Sequence, residues 1–347
     1  MPDPARILIV KPSALGDVVQ ALPVLTGLKR RWPAARIDWV VNDNLAGILE
    51  GHPCLDDVLL YRRKRWTRLS AAGEMRDFAR RIAAARYDIV LDLQGLARSG
   101  LMTWLTGSPR RIGLRSAREG SRLAYTEIID DTKEANASRR YLLALQHLGI
   151  ADCQPHDFGL TATVALSPPV QRALDAAAAA AAQRQGPCSS LIVIHPYSQW
   201  RTKLWPWRHV QQLVDLAPAQ PFAIVGEGPW FPIHGPHVAD VRGCLSLREL
   251  IAVLARADAV LSTDSGPAHL AAALGRPTLA LFGATDWRKT RPAGAKVAVM
   301  THDVFCSPCL KRHCRNSVPM ACMAGMEPIH VFGRLQEMIS GMTVYHS

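Results

Sequence analysis

Eight short, nearly continuous apolar runs, each separated from the next by longer stretches with helical periodicity, constrain this chain more than any other feature. Four lie early, at Arg6–Val10, Arg36–Val41, Val58–Tyr61 and Tyr87–Leu91. Four lie late, at Leu191–His195, Phe222–Val225, Ala259–Ser262 and Thr278–Phe282. A strand apolar along its whole length is covered on both faces, and its alternation with helices is the pattern of a parallel sheet wound on both sides. Between the two series, Ser167–Pro169 breaks the chain, an alanine-rich helix covers Asp175–Ala182, and Gly186-Pro187 breaks it again. The pattern predicts an α/β protein of two Rossmann-like domains with parallel sheets facing a central cleft. The first domain spans 1–165 and the connection 166–187. The second domain spans 188–325, and a C-terminal helix over 326–347 is expected to return to the first domain.

The length of 347 residues suits two domains of ~150 residues each. Hydrophobic residues at 48% and charged residues at 20% exclude a disordered chain. No apolar run approaches the ~18 residues of a membrane span, and the first ten residues carry no basic, then apolar, export pattern. The expectation is therefore a cytoplasmic protein. Lys and Arg number 41 against 29 acids, a net charge of +12 that calls for an acidic partner: nucleic acid, an anionic membrane surface or a phosphorylated substrate. Two basic clusters, Arg62, Arg63, Lys64, Arg65, Arg68 and then Arg110, Arg111, Arg115, Arg118, Arg122, fall in the first domain. Such runs are most often solvated faces, with docking of an acidic partner as the competing reading. No recognised RNA-binding motif accompanies them.

Ligands of wound sheets bind beyond the carboxyl ends of strands, so the strand-to-helix loops carry the chemistry. The first loop is Lys11-Pro-Ser-Ala-Leu-Gly16-Asp17. Asp17 reads either as the N-cap of the following helix or as a general base, with the helix dipole lowering its basicity but leaving it able to accept a proton from a hydroxyl. Neither G-x-G-x-x-G nor a full P-loop is present. The second loop is Asp264-Ser265-Gly266-Pro267-Ala268-His269, with Pro267 suited to the first helical position and the amides near Ala268 and His269 open to a diphosphate. The third is His195–Pro206, in which Arg201 and Lys203 are either surface charges or phosphate partners. Four of the eight cysteines fall at Cys306, Cys309, Cys314 and Cys322, a spacing that permits a four-thiolate zinc site but equally fits buried thiols.

These loops resemble glycosyltransferase family 9, the ADP-heptose:lipopolysaccharide heptosyltransferases, over nearly the whole chain. The resemblance rests on Ile9–Asp17, Asp38–Val41, Tyr87–Gly95, Ser116–Glu119, Lys203–Pro206 and Asp264–His269, the first four most like heptosyltransferase I. It implies a GT-B fold and inverting transfer of heptose from ADP-heptose to the lipopolysaccharide inner core, either Kdo-lipid A or heptosyl-Kdo-lipid A. By the same resemblance Asp17 is the catalytic base. Ser198, Lys203, Asp264, Ser265, Gly266, Pro267 and His269 hold the donor. Ser13, Arg62, Arg63, Lys64, Arg65 and Arg118 hold an anionic lipid-linked Kdo acceptor at the inner face of the cytoplasmic membrane. The resemblance implies no cofactor, no metal and no nucleic-acid partner. Two departures stand out: Trp230 falls about where relatives carry a ribose-binding glutamate, with Glu227 too early, and the cysteine segment looks more like heptosyltransferase II relatives. Competing readings are a basic nucleic-acid- or membrane-binding module without catalysis, a zinc-bearing scaffold, and a family transferase with another donor sugar.

Overall fold

The computed structural model describes residues 3–132, 136–162, 164–185 and 190–341. Two units divide the chain, Met1–Thr161 and Ala162–Ser347.

The first unit runs β1 (Arg6–Val10), α1 (Leu15–Arg31), β2 (Arg36–Asn42), β3 (Asp57–Tyr61), α2 (Ala72–Ala84), β4 (Ile89–Asp92), α3 (Ala97–Leu105), β5 (Arg110–Leu114), β6 (Glu127–Ile129) and α4 (Ala137–His147). The strands form one sheet in the order β3-β2-β1-β4-β5-β6, every pair parallel. Leu8, Val10, Val40, Leu59 and Val90 project into a core closed by Ile82 and Met102. The fourth strand starts at Ile89 rather than Tyr87, whose hydroxyl donates to Asp38 Oδ2 at 2.8 Å. The sequence reading missed β5 and β6. Their residues, Arg-Arg-Ile-Gly-Leu and Glu-Ile-Ile, are too short and too charged to show a buried run.

The second unit runs α5 (Pro168–Gln185), β7 (Ile192–His195), α6 (Trp207–Leu216), β8 (Phe222–Ile224), β9 (Val238–Asp240), α7 (Leu247–Arg256), β10 (Ala259–Thr263), α8 (Gly266–Ala273), β11 (Thr278–Phe282), α9 (Trp287–Thr290), β12 (Val297–Thr301), α10 (Ala321–Ala324) and α11 (Pro328–Ile339). Its parallel sheet has the order β12-β11-β10-β7-β8-β9. The helix read as an interdomain connection is the longer α5, which packs beside β9 inside this unit. The Gly186-Pro187 break lies outside the described residues, as do residues 342–347 of the C-terminal segment. The C-terminal helix α11 also belongs here rather than to the first domain. Val331, Leu335 and Met338, one stripe at helical spacing, complete the core beside Val210 and Leu213 of α6. The capping box read at Ser246 and Glu249 is present: Ser246 Oγ accepts from Glu249 N–H at 3.2 Å and Glu249 Oε2 accepts from Ser246 N–H at 3.1 Å.

Numbered within each unit, both sheets have the order 3-2-1-4-5-6. Each therefore reverses direction of winding between its first and fourth strands, and the crevice at that switch point lies outside the strand carboxyl ends. In the first unit this is where the loops after β1 and β4 meet. In the second it is where the loops after β7 and β10 meet.

Candidate active site

The first switch point is built around Asp17. Helix α1 begins at Leu15, so Asp17 stands at its third position and is not the N-cap expected from the sequence; Ala14 is. From there Asp17 Oδ2 reaches back to accept Ala14 N–H at 3.2 Å, and Oδ1 accepts the Tyr141 hydroxyl of α4 at 3.2 Å. One bond on each oxygen leaves lone pairs on both for a further donor. Lys11, only 3% exposed, holds its Nζ 4.8 Å from the Tyr141 ring centroid. Burial works to lower the Lys11 pKa, but Tyr141, Asp17 and Asp92 outweigh it and hold the ammonium above its ordinary value. Burial, with Asp17 adding and Lys11 opposing, pushes the Tyr141 phenol up, so it remains a hydrogen-bond donor.

The loop after β4 ties in from the other side. Gln94 Oε1 accepts Ser13 N–H at 3.2 Å. Buried Asp92 accepts Gln94 N–H at 2.9 Å, Gly95 N–H at 3.0 Å and the Tyr125 hydroxyl at 2.8 Å, while burial raises its pKa. Gly95 O accepts Arg118 N–H at 2.8 Å, which fixes Arg118 at this loop with its side chain exposed. The basic run is less uniform than the sequence suggested. Arg62 and Arg65 both pair with Glu74, at 3.5 and 2.5 Å, whereas Arg63 and Lys64 are exposed without a described side-chain partner.

The second switch point joins the other predicted set. His195 of β7 lies in register with Ser262 of β10, so the two following loops leave the sheet side by side. Ser198 Oγ donates to Asp264 O at 3.0 Å. Lys203 Nζ sits 2.6 Å from Asp264 Oδ2, the side chains 16% and 7% exposed, and the Thr285 hydroxyl donates to the same oxygen at 2.6 Å. Lys203 Nζ also lies 4.7 Å from the Trp200 ring centroid. Paired once, the ammonium keeps donors for an anion.

Helix α8 starts one residue earlier than expected: Gly266 is first and Pro267 second. Ser265, its N-cap, does not cap with its side chain, and Ala268 N–H, expected to be open, donates to Ser265 O at 3.2 Å. The Ser265 hydroxyl instead meets Ser262 Oγ and His195 Nδ1, both at 3.0 Å. Burial pushes His195 down to about 4, so this is a contact between neutral groups. Gly226 at φ +110° passes directly over that ring. A Cβ there would lie 2.6 Å from His195 Cδ2, so no larger residue fits without moving the histidine. His269 is buried in the first turns of α8.

Sequence reasoning missed Lys11, Tyr141, Gln94, His195 and Thr285 as site residues. Lys11 had a local signal, a charge directly following a buried strand; Tyr141 had none, because α4 reaches Asp17 from 124 residues away. Glu227 and Trp230 are both exposed. Cys306, Cys309, Cys314 and Cys322 line one small cavity with Thr202 and Met320. Burial and the other three sulfurs raise the Cys322 thiol, and the Met320 and Asn316 amides lower Cys314. Among the described residues no group of three or more His, Cys, Asp or Glu side chains stands in metal-holding geometry, nor is any helix long and apolar enough to cross a membrane.

The profile of glycosyltransferase family 9 (heptosyltransferase) matches residues 75–225 and 233–318. Lipopolysaccharide heptosyltransferase 1 of Pseudomonas aeruginosa is 31% identical over 332 residues, 89% of this chain and 87% of that protein. The structure of Escherichia coli heptosyltransferase WaaC with ADP matches at TM-score 0.72 and 25% identity, over 96% of this chain and 99% of that one. The same enzyme with ADP-2-deoxy-2-fluoro heptose matches at TM-score 0.68 and 26% identity, again over 96% and 99%.

Proposed function

The chain belongs to glycosyltransferase family 9, the heptosyltransferases of GT-B fold, and from that premise we propose that it transfers heptose, with inversion, from ADP-heptose to a hydroxyl of the Kdo-bearing lipopolysaccharide inner core. The observation that carries this reading is the second switch point, where Lys203, Ser198 and the start of α8 are gathered at adjoining strand ends. A crevice of that kind, with an ammonium and a helix N-terminus, suits a diphosphate. The ADP and ADP-heptose analogue of the related WaaC structures are ligands of this chemistry.

In this reading the second unit holds the donor and the first unit the acceptor. Asp17 takes the proton of the acceptor hydroxyl as its oxygen bonds to the anomeric carbon of the heptose. The bond from that carbon to the diphosphate breaks on the opposite face, and ADP leaves with the electron pair. Lys203 and the α8 N-terminus stabilise the negative charge that develops on the leaving diphosphate, the place a divalent cation takes in other transferases. Asp264 is a positioning residue: its carboxylate would repel phosphate, but through Oδ2 it aims Lys203, and Thr285 fixes its own orientation. Ser265 holds His195 at the floor of the crevice. Tyr141 orients Asp17 through Oδ1 while Ala14 N–H holds Oδ2, and Lys11 sits against the Tyr141 ring.

Arg118, Arg63 and Lys64, exposed and without described side-chain partners, face an anionic acceptor, while Arg62 and Arg65 are held by Glu74. Such an acceptor is lipid-linked, which places the protein peripherally on the inner face of the cytoplasmic membrane. The test is mass spectrometry of products from a panel of nucleotide sugars with Kdo-lipid A and heptosyl-Kdo-lipid A. A heptose mass increment from ADP-heptose alone is the expected result. Transfer from another nucleotide sugar, or binding of RNA in place of ADP by titration, would overturn the reading.

A further inference from the structure

One face of the first unit is apolar, exposed and unused by the transfer chemistry. Ala97, Leu101 and Trp104 recur at helical spacing along α3, while Ser99, Gly100, Met102 and Thr103 of the same helix are buried. The helix therefore turns an apolar stripe outward. A 3-10 turn at Ser121–Ala124 lies directly against it. Gly100 makes that approach possible, since a Cβ there would sit 2.8 Å from Ser121 Cα and Cβ. The result is an open groove of 280 Å³ whose apolar lining includes Leu101, Trp104 and Leu123. Leu123 is 91% exposed, Trp104 60% and Leu101 56%.

Three arginines stand at this groove in the sequence: Arg98 on α3, Arg122 beside Leu123, and Arg118 before the turn. All three are exposed, and none has an ion-pair or side-chain hydrogen-bond partner among the described residues. The acid of the groove lining, Glu119, is occupied in accepting Ala97 N–H at 3.2 Å. Exposed Leu and Trp side chains, with three exposed arginines against one acid in the adjoining sequence, match a bilayer surface with anionic headgroups. Trp suits the headgroup level, the leucines suit the acyl boundary, and Arg takes phosphate oxygens bidentately. A second copy of this chain fits poorly, because a two-fold contact would bring the same arginines together.

We infer that the α3 and Ser121–Ala124 face seats the first unit on an anionic phospholipid bilayer, with Trp104, Leu101 and Leu123 entering the interface and Arg98, Arg118 and Arg122 contacting headgroup phosphates. The inference rests on the function proposed above only for the acceptor being lipid-linked. Arg118 belongs to both surfaces, since its backbone is fastened to Gly95 at the first switch point. The docked face is thereby continuous with the region proposed to hold the acceptor.

Flotation of the full chain with vesicles of phosphatidylglycerol and phosphatidylethanolamine, against pure phosphatidylcholine, tests this. Wild type is expected to float with the anionic vesicles only. Burying one Leu or Trp side chain contributes roughly tenfold or more to partitioning, so L123S with W104S should lower binding at least about tenfold. R98Q with R122Q should weaken the preference for phosphatidylglycerol, leaving the share that Arg118 supplies. Leu123 is almost fully exposed, so L123S alone provides a variant whose fold is not at stake; its ADP affinity and its turnover of a deacylated, water-soluble acceptor should match wild type. Binding that survives L123S with W104S, or a wild type that ignores anionic vesicles, overturns the inference. So does a dimer in sedimentation that L123S converts to monomer. Transfer to the deacylated acceptor without vesicle binding would sink this surface and leave the function standing; vesicle binding without any transfer would do the reverse.

Discussion

Removing the Lys203 side chain separates two roles that its position allows. Its ammonium lies 2.6 Å from Asp264 Oδ2 with both side chains mostly buried. Lys203→Ala deletes a charged hydrogen-bond donor to the diphosphate, ~1.5–3 kcal/mol, or roughly 10- to 150-fold in ADP affinity. It also leaves the Asp264 carboxylate without its cation. Breaking a fully buried pair costs roughly 3–5 kcal/mol. Here that figure is an upper bound, because the Thr285 hydroxyl still donates to the same oxygen. At about 2–4 °C per kcal/mol for a unit of this size, the single variant should melt several degrees below wild type. Adding Asp264→Asn removes the stranded charge. The double variant should recover most of the melting temperature and none of the ADP affinity. Titration calorimetry with ADP and a thermal melt on wild type, single and double variants read both quantities. An unchanged dissociation constant in the single variant refutes diphosphate binding by Lys203. Recovery of wild-type affinity in the double variant shows that Lys203 does no more than neutralise Asp264.

Asp17→Asn retains an oxygen for Ala14 N–H but cannot take a proton. Turnover should fall ~10²–10⁴-fold with ADP affinity and melting temperature near wild type, and a loss of only a few-fold would make Asp17 structural. Tyr141→Phe keeps the ring near Lys11 and removes one hydrogen bond to Asp17, so kcat should drop about 2- to 10-fold with donor KM unchanged. Arg118→Ala should raise acceptor KM and spare ADP affinity; rising salt should likewise raise acceptor KM more steeply than donor KM, since exposed charges are screened over ~10 Å at 0.1 M. His195 carries a pKa pushed down to about 4 by burial, below the ordinary 6.5. The unfolded chain therefore gains a proton first as pH falls. Stability contributed by neutral His195 should be complete above pH 6.5 and decline by up to ~3 kcal/mol as pH falls to 4, a slope that His195→Asn should flatten in melts across that range.

What the sequence alone determined were the properties that short stretches of chain carry by themselves. Ile7, Leu8 and Ile9 are buried whichever strand lies beside them, and the central strands of both sheets were legible for that reason. The Ser246–Glu249 box closes within one turn and needs no distant partner. The Asp17 and Asp264 loops were legible as strand-to-helix junctions. The outer strand β12, Val297–Thr301, was missed although its residues are mostly apolar, and the outer strands β5, β6 and β9 were not legible. At Arg110–Leu114, Glu127–Ile129 and Val238–Asp240, pairing with a neighbour already in place sets the extended form, and no apolar run announces it. The helix starts at Leu15 and Gly266 were misplaced because Ala14 and Ser265 end their loops through backbone geometry rather than through a capping side chain. Above all, only the tertiary structure could put Tyr141 on Asp17 and Thr285 with Lys203 on Asp264. Those contacts join residues separated by 124, 21 and 61 positions, and spatial adjacency across such distances is set by strand order and helix packing, on which the local pattern of residues is silent.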